Sequence, residues 1–508
     1  MPFRRSKSFP VISLLFVAAC ASSPKEPAPV RENPAVKMIA TAPGSEIRRN
    51  FRSGGGSYSV LVHSPVLAPL LRDRYSAKDL KKIRGTLGKS LDFAFDSRGL
   101  VRAADRVGVT DNDPTHYDAV WVRDSLWIYL GLRSDPSQAS AANRLLLALA
   151  DYFSSPAQLA RFDAVIANPG ILSGAYGQMN AVHIRFDRRS PDFADVQDGG
   201  KPQVWNHKQN DALGLFLDLF CRAVLEAEVG RREITDTRMA MIARFPKYFA
   251  AVKFEAMADA GSWEEIERVN TSSIGLVTSG LERLMLAKTF FPGVKSGEVN
   301  ALIQRGYATI RHQLALGGES PGYPPADPHF RAGDAALLNL IYPAKLARLT
   351  RPDFDRILAA VKPLVGEVGI RRYHGDSYQS GNFWFRDAST DNTSSEASFA
   401  GRGSRFIPGS EAQWFFDSWF SVANATLAHR FGDARFHADA VRFLNRALGQ
   451  VTGPSAIGAD GKPVPALALP ESYNTVVDPR TDARAFVPSP ITPLNWAKAS
   501  LRLALTAH

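Results

Sequence analysis

The sequence predicts an all-α protein built from two layers of helices, and three observations predict it. Apolar residues recur at helical spacing through twelve stretches of the chain. Two of these, residues 212–225 and 414–427, are apolar nearly all round, as helices buried on several sides are. Residues 433–449 instead carry one stripe (Phe436, Ala440, Phe443, Leu444, Ala447) with charges opposite. Inner helices enclosed by amphipathic outer ones account for both kinds.

The twelve helices are expected near 77–95, 120–133, 137–154, 207–228, 238–256, 272–290, 297–315, 334–341, 352–363, 412–431, 433–449 and 492–506. Gly214, Gly275 and Gly280 cost helix propensity, so they are expected where helices approach closely. Gly432 followed by Asp433 reads as a helix stop and a new N-cap, hence a tight antiparallel connection. Long loops rich in Gly, Ser, Asn and Asp lie between helices; the longest spans about 375–410. At 508 residues, 45% hydrophobic and 22% charged, the chain has globular proportions, which exclude a fibrous repeat or a wholly disordered protein. The net charge of +11 is dispersed, without the basic run of a nucleic-acid arm, so no nucleic-acid partner is expected.

The N-terminus reads as an export signal. Arg4, Arg5 and Lys7 precede a short apolar run, Val11 to Ala19, which is too short to span a bilayer stably. It ends in Val17-Ala18-Ala19-Cys20, which resembles a bacterial lipobox. That resemblance implies residues 1–19 as a lipoprotein signal peptide, lipid on Cys20, and a place in the cell envelope. Ala21 and Ser22 follow with no aspartate, which favours an outer-membrane anchor facing the periplasm or the surface. Residues 20–44, with Pro24, Pro27, Pro29 and Pro34, read as a tether, and 45–508 as one domain. Cys221 is the other cysteine; it lies in an apolar helix and reads as a buried inert thiol, so no disulfide framework is expected.

Four polar-aromatic clusters carry the candidate chemistry. Trp121-Val122-Arg123-Asp124 opens a helix, where a charged pair beside indoles can grip a sugar ring or form a plain helix-end salt bridge. Trp205 to Asp211, including Gln209, opens the apolar helix and reads either as a pocket lining or as a solvated turn capped by Asn206 or Asp211. Trp263-Glu264-Glu265 sets a carboxyl beside an indole and a second carboxyl, the setting that raises a pKa and makes a general acid; exposed glutamates before a Ser-capped helix are the plainer reading. Leu469-Pro470-Glu471 places a lone glutamate on a Pro-bounded loop before the last helix, either a general base or a simple surface residue. No ligand set surrounds His207, and the run from Asp387 to Glu396 lacks the glycine and spacing of a calcium loop, so no metal is expected.

Together these clusters, with Arg371-Arg372-Tyr373 and Ser489-Pro490-Ile491-Thr492-Pro493-Leu494-Asn495-Trp496-Ala497, resemble the glucoamylase-type glycoside hydrolase family and its relatives, the alpha and beta subunits of phosphorylase kinase. The resemblance covers most of residues 80–506 and implies an (α/α)6 toroid, the six-hairpin glycosidase fold, with long active-site loops. It implies Glu264 as general acid, with Glu265 as the alternative, and Glu471 as general base. It further implies Arg123 and Asp124 as holders of the terminal sugar, Arg372 as a substrate-orienting arginine, and Trp205 and Trp263 as pocket walls, with Trp121, Gln209 and Asp211 also among the substrate-binding residues. The implied activity is inverting, exo-acting hydrolysis of α-glucans or small α-glucosides from the nonreducing end, without a cofactor. A noncatalytic glucan-binding or regulatory protein is the alternative, as is a relative acting on trehalose or dextran. The family's Gly-Asn-x-Trp-Phe step matches either Gly381 to Phe385 or Gly409 to Phe415.

Overall fold

A computed structural model describes residues 47–53, 56–105, 116–380, 396–404, 406–478 and 481–508. Cys20, the signal region, the tether and the Gly381–Phe385 match lie outside the described residues. The helices in chain order are α1 (Ala77–Leu87), α2 (Val122–Arg133), α3 (Ala139–Phe153), α4 (Pro156–Ala167), α5 (Asn210–Leu225), α6 (Asp236–Ile242) and α7 (Arg244–Ala251). They continue with α8 (Thr271–Leu286), α9 (Ser296–Leu316), α10 (Arg351–Val361), α11 (Glu396–Gly403), α12 (Asp417–Phe431), α13 (Ala434–Gly449) and α14 (Asn495–Thr506). A 3-10 helix covers Ala335–Leu340.

Packing closes these into the expected (α/α)6 toroid. α2 packs on α5, α5 on α8, α8 on the 3-10 helix, that helix on α12, α12 on α14, and α14 back on α2. The inner ring therefore has six members, and the fourth is a single 3-10 segment where the sequence predicted a helix over 334–341. The outer layer includes α3 against α2, α9 against α8, α10 against the 3-10 helix and α13 against α12. α5 is buried from Asn210 to Val224 without a break, the reason its sequence is apolar on every face. α13 buries the Phe436–Ala440–Phe443–Leu444–Ala447 stripe.

Glycine sets the closest approach. A Cβ on Gly214 would stand 2.4 Å from the Val277 backbone nitrogen, and one on Gly280 would stand 2.6 Å from the Gly214 carbonyl. At Gly275 a Cβ would meet Leu340 of the 3-10 helix. Gly432 ends α12 with φ 64°, and the Asp433 side chain accepts from the Arg435 N–H at 2.9 Å, as the stop-and-cap reading requires. Cys221 is buried and its thiol pKa is pushed well up by burial. Among the described residues no helix is long and apolar enough to cross a membrane.

The structure departs from the sequence reading in several places. α1 stops at Leu87 and passes into a 3-10 turn, and the predicted 238–256 helix breaks at Ala243 into α6 and α7. α4, α11 and a hairpin of β1 (Ile47–Ser53) and β2 (Gly56–Val62) were not expected. Two-residue strands β3 (Val120–Trp121) and β4 (Arg185–Phe186) pair ahead of α2, and β5 (Gln197–Asp198) pairs β6 (Lys201–Pro202). β7 (Gln413–Trp414), β8 (Ser472–Val477) and β9 (Arg484–Pro488) form a three-stranded antiparallel sheet. The Glu471 segment, read as a loop, leads directly into the wholly buried central strand of that sheet.

Candidate active site

Several inner helices present their N-termini at one end of the ring, and acidic residues occupy first turns there: Asp124 on α2, Asp211 on α5 and Asp417 on α12. Unpaired N–H groups and the helix dipole favour such placement. At α5 the cap differs from either expectation: the Asn210 N–H donates to Asp259 at 2.9 Å, and Asp211 turns inward. At α8 the N-cap residue Asn270 makes no side-chain capping bond; the Glu319 carboxylate accepts from the Ser272 N–H instead.

Arg123 is the hub. Its Nε donates to Asp211 at 2.6 Å, its Nη1 to Glu264 at 2.9 Å, and its Nη2 to Gln209 at 2.5 Å and to the Gly261 carbonyl at 3.1 Å. Gln209 and Asp211 thus stand behind Arg123, holding it, and Ser262 adds a bond to Asp211 at 3.1 Å. Every guanidinium nitrogen is committed to one of these partners, Glu264 among them.

Glu264 and Glu265, adjacent in sequence, face different surroundings. Glu264 has φ 58°, a left-handed conformation that turns the chain between them. Its Oε2 accepts from the Trp205 indole N–H at 3.0 Å while Oε1 meets Arg123. Burial pushes the Glu264 carboxyl above the ordinary range, against the opposing pull of Arg123 and Arg185. Glu265 is fully buried and accepts from Arg372 and from the Tyr373 hydroxyl, both at 2.7 Å. Arg331 and Arg268 lie 3.6 Å from it and Arg402 lies 4.0 Å away. Burial would raise its pKa, but these four arginines outweigh burial and hold it at about 2. The surroundings thus push the two carboxyls in opposite directions, Glu264 upward and Glu265 downward.

Glu471 is buried. Its Oε1 accepts from the Tyr117 hydroxyl at 2.7 Å, and Oε2 accepts from the Gln379 amide. Tyr117 lies 3.3 Å from the Tyr378 hydroxyl. Asp124 links the two glutamates electrostatically: burial, then the charges of Glu264 and Glu471, raise its carboxyl to about 8 despite Arg123.

Aromatic rings join these parts. Trp121 meets Trp205 edge-on at 5.4 Å and Tyr117 at 6.2 Å. Trp263 is partly exposed, donates to Asp334 at 2.9 Å, and packs against Phe416 at a tilt, 5.1 Å between ring centres. Arg372 is clamped by Asp376 at 2.6 Å and lies over Tyr378, Trp414 and Trp263. The structure therefore brings all eleven sequence-predicted site residues into one connected cluster. Trp414, of the Gly409–Phe415 match, belongs to it. The sequence reading does not single out Tyr117 or Gln379, and it assigns no role to Tyr373 or Asp376, which lie in the motif around Arg372. Tyr117 stands just before Trp121-Val122-Arg123-Asp124, the one local signal for it; Gln379 sits on a loop with none. Among the described residues no His, Cys, Asp and Glu group could hold a metal ion.

No family model matches the sequence. The chain is 18% identical to a solved structure titled a glycosidase E335A in complex with glucose, with a TM-score of 0.54 over 85% of this chain and 98% of that one. A glucoamylase from Saccharomycopsis fibuligera is 14% identical, with a TM-score of 0.52 over 86% of this chain and 96% of that one. At such identities these likenesses establish the shared (α/α)6 fold. The uncharacterized lipoprotein YgeQ of Escherichia coli (strain K12) is 39% identical over 208 residues, 40% of this chain and 79% of the relative. By that match the chain belongs to the family of the lipoprotein YgeQ.

Proposed function

We propose that the protein is an inverting, exo-acting α-glucoside hydrolase. Glu264 protonates the glycosidic oxygen as the bond breaks, and Glu471 takes a proton from a water that attacks the opposite face of the sugar. Inverting enzymes hold two such carboxyl groups roughly 6.5–9.5 Å apart to admit that water. Asp124 binds the nonreducing-end sugar between the Trp121, Trp205 and Trp263 walls. Arg123 holds the acid, and Arg372 orients the substrate from the Glu265 side. The observation that carries this reading is the aromatic wall joining the two carboxyls: Trp205 donates to Glu264, Tyr117 donates to Glu471, and Trp121 packs against both rings. The glycosidase and glucoamylase neighbours, one solved with glucose, support a carbohydrate substrate.

The test is proton NMR of maltotriose, isomaltotriose and trehalose with the mature domain. We expect β-glucose to appear first from one of the three. The substrate that yields it assigns the linkage. Tight binding with no product from any sugar refutes the hydrolase and leaves a glucan-binding protein.

The chain is further proposed to sit in the cell envelope on a lipid anchor at Cys20, in the outer membrane, with residues 20–44 as tether. The lipoprotein description of its relative supports this. Cys20→Ser is expected to move the protein from the membrane fraction to the soluble envelope fraction; a Cys20→Ser protein that still sediments with membranes contradicts the anchor.

A further inference from the structure

We propose that Arg185, a residue outside the sequence motifs, is a positioning residue for the general acid: its guanidinium braces the Trp205 indole that donates to Glu264 and supplies a positive charge behind that carboxyl. The proposal rests on the hydrolase reading of the site and goes beyond it.

The argument begins with register. β3 and β4 pair Trp121 directly with Arg185, which puts both side chains on one face of the ribbon. From there the guanidinium lies 4.9 Å from the Trp121 ring centre and 4.1 Å from that of Trp205. Arg185 is 2% exposed. Among the described residues only its Nη2 has a hydrogen-bond partner, the Gln203 amide oxygen, while Nε and Nη1 are buried with none. Nor does any carboxylate among the described residues pair with it: Asp195, the acid whose charge it senses besides Glu264, is bound by His183 at 2.6 Å and Arg161 at 3.1 Å. Burial lowers its pKa to about 10, so it stays charged at neutral pH.

A buried guanidinium with two unpaired nitrogens is costly unless aromatic faces compensate, and here two indoles do. A cation on an indole face draws electron density from the ring and makes the Nε1–H a stronger donor. The Trp205 Nε1–H donates to Glu264 Oε2 at 3.0 Å, so Arg185 reaches the acid through that indole and through its own charge. The groups facing Glu264 are Arg123 and Asp124 from α2, Asp211 from α5 and Arg185 from β4. Within that set Arg123 is shared with Asp211, Gln209 and Gly261, while Arg185 is not shared with any carboxylate among the described residues.

The experiment compares the full domain with Arg185→Met, which keeps an unbranched apolar stem between the indoles, and Arg185→Lys, which keeps the charge. Tryptophan fluorescence against pH, read without substrate, reports the protonation of the carboxyl bonded to Trp205. We expect the midpoint to rise by about half a pH unit or more in R185M and to return most of the way in R185K. The basic limb of kcat/KM should follow the same order, with kcat lowered and KM little changed in R185M. A wild-type midpoint in a folded R185M, or an R185K midpoint shifted as far as that of R185M, overturns the proposal. If wild type hydrolyses no sugar while the fluorescence midpoints still move as expected, the hydrolase reading fails and the assignment of Arg185 to Glu264 stands.

Discussion

Glu264→Gln is expected to lower hydrolysis about 100- to 10,000-fold, the usual contribution of a positioned acid, with KM little changed. The amide oxygen can still accept from Arg123, but the NH2 then faces the Trp205 indole N–H, donor to donor, so a thermal melt is needed to separate that local cost from the lost proton. The acid works protonated, and burial raises its folded-state pKa. Activity is therefore present below that raised value and falls as pH rises through it, so the wild-type basic limb lies above the ordinary glutamate range. That limb should vanish in the residual activity of E264Q. Glu265→Gln should behave differently. It removes the anion held among Arg372, Arg331, Arg268 and Arg402, and leaving buried cations uncompensated costs about 3–5 kcal/mol of stability. The contrast is measured by pH–rate profiles beside thermal melts. An E264Q protein with near-wild-type rates would contradict the assignment.

Glu471→Ala is expected to cost a similar factor in rate for another reason. Tyr117 and Gln379 hold the Glu471 carboxylate by one oxygen each, fixing its plane. Removing the side chain leaves those donors and a small vacant space, while Glu264 keeps its bonds to Arg123 and Trp205. Bond cleavage can still be assisted, but no group takes the proton from the attacking water. Initial rates on the substrate identified by NMR measure the loss, with substrate affinity as the control.

Much of this was legible before the structure. Helices buried on all sides announce themselves by having no polar face, which is why α5 and α12 were readable and why two layers followed from them. α4 escaped notice because it begins after only Ser154 and Ser155, although Pro156 at its first turn is a standard start signal. β8 reads as a loop because Pro470 and Pro490 bracket it, although Thr475, Val476 and Val477 carry a strand signal. The fourth inner segment kept its place in the ring but is a six-residue 3-10 helix.

The site residues were legible as clusters, their partners were not. Sequence could not separate Glu264 from Glu265, because the difference lies in one left-handed residue that sends the two carboxyls to opposite surroundings. Nor could it show that Arg123 is spent on Asp211, Gln209 and Glu264, since that depends on three segments meeting. Tyr117, Gln379 and Arg185 carried no motif; each acquires a part through a contact made 18 or more positions away along the chain.

The most direct measurement uses Glu471→Ala with sodium azide, a small anion that attacks without first losing a proton. If Glu264 and Glu471 flank the sugar from opposite faces, azide restores turnover of an α-glucoside and the product is the β-glucosyl azide, read from its anomeric proton coupling. Formation of the α-azide, or unaided hydrolysis by Glu471→Ala at close to the wild-type rate, would contradict it.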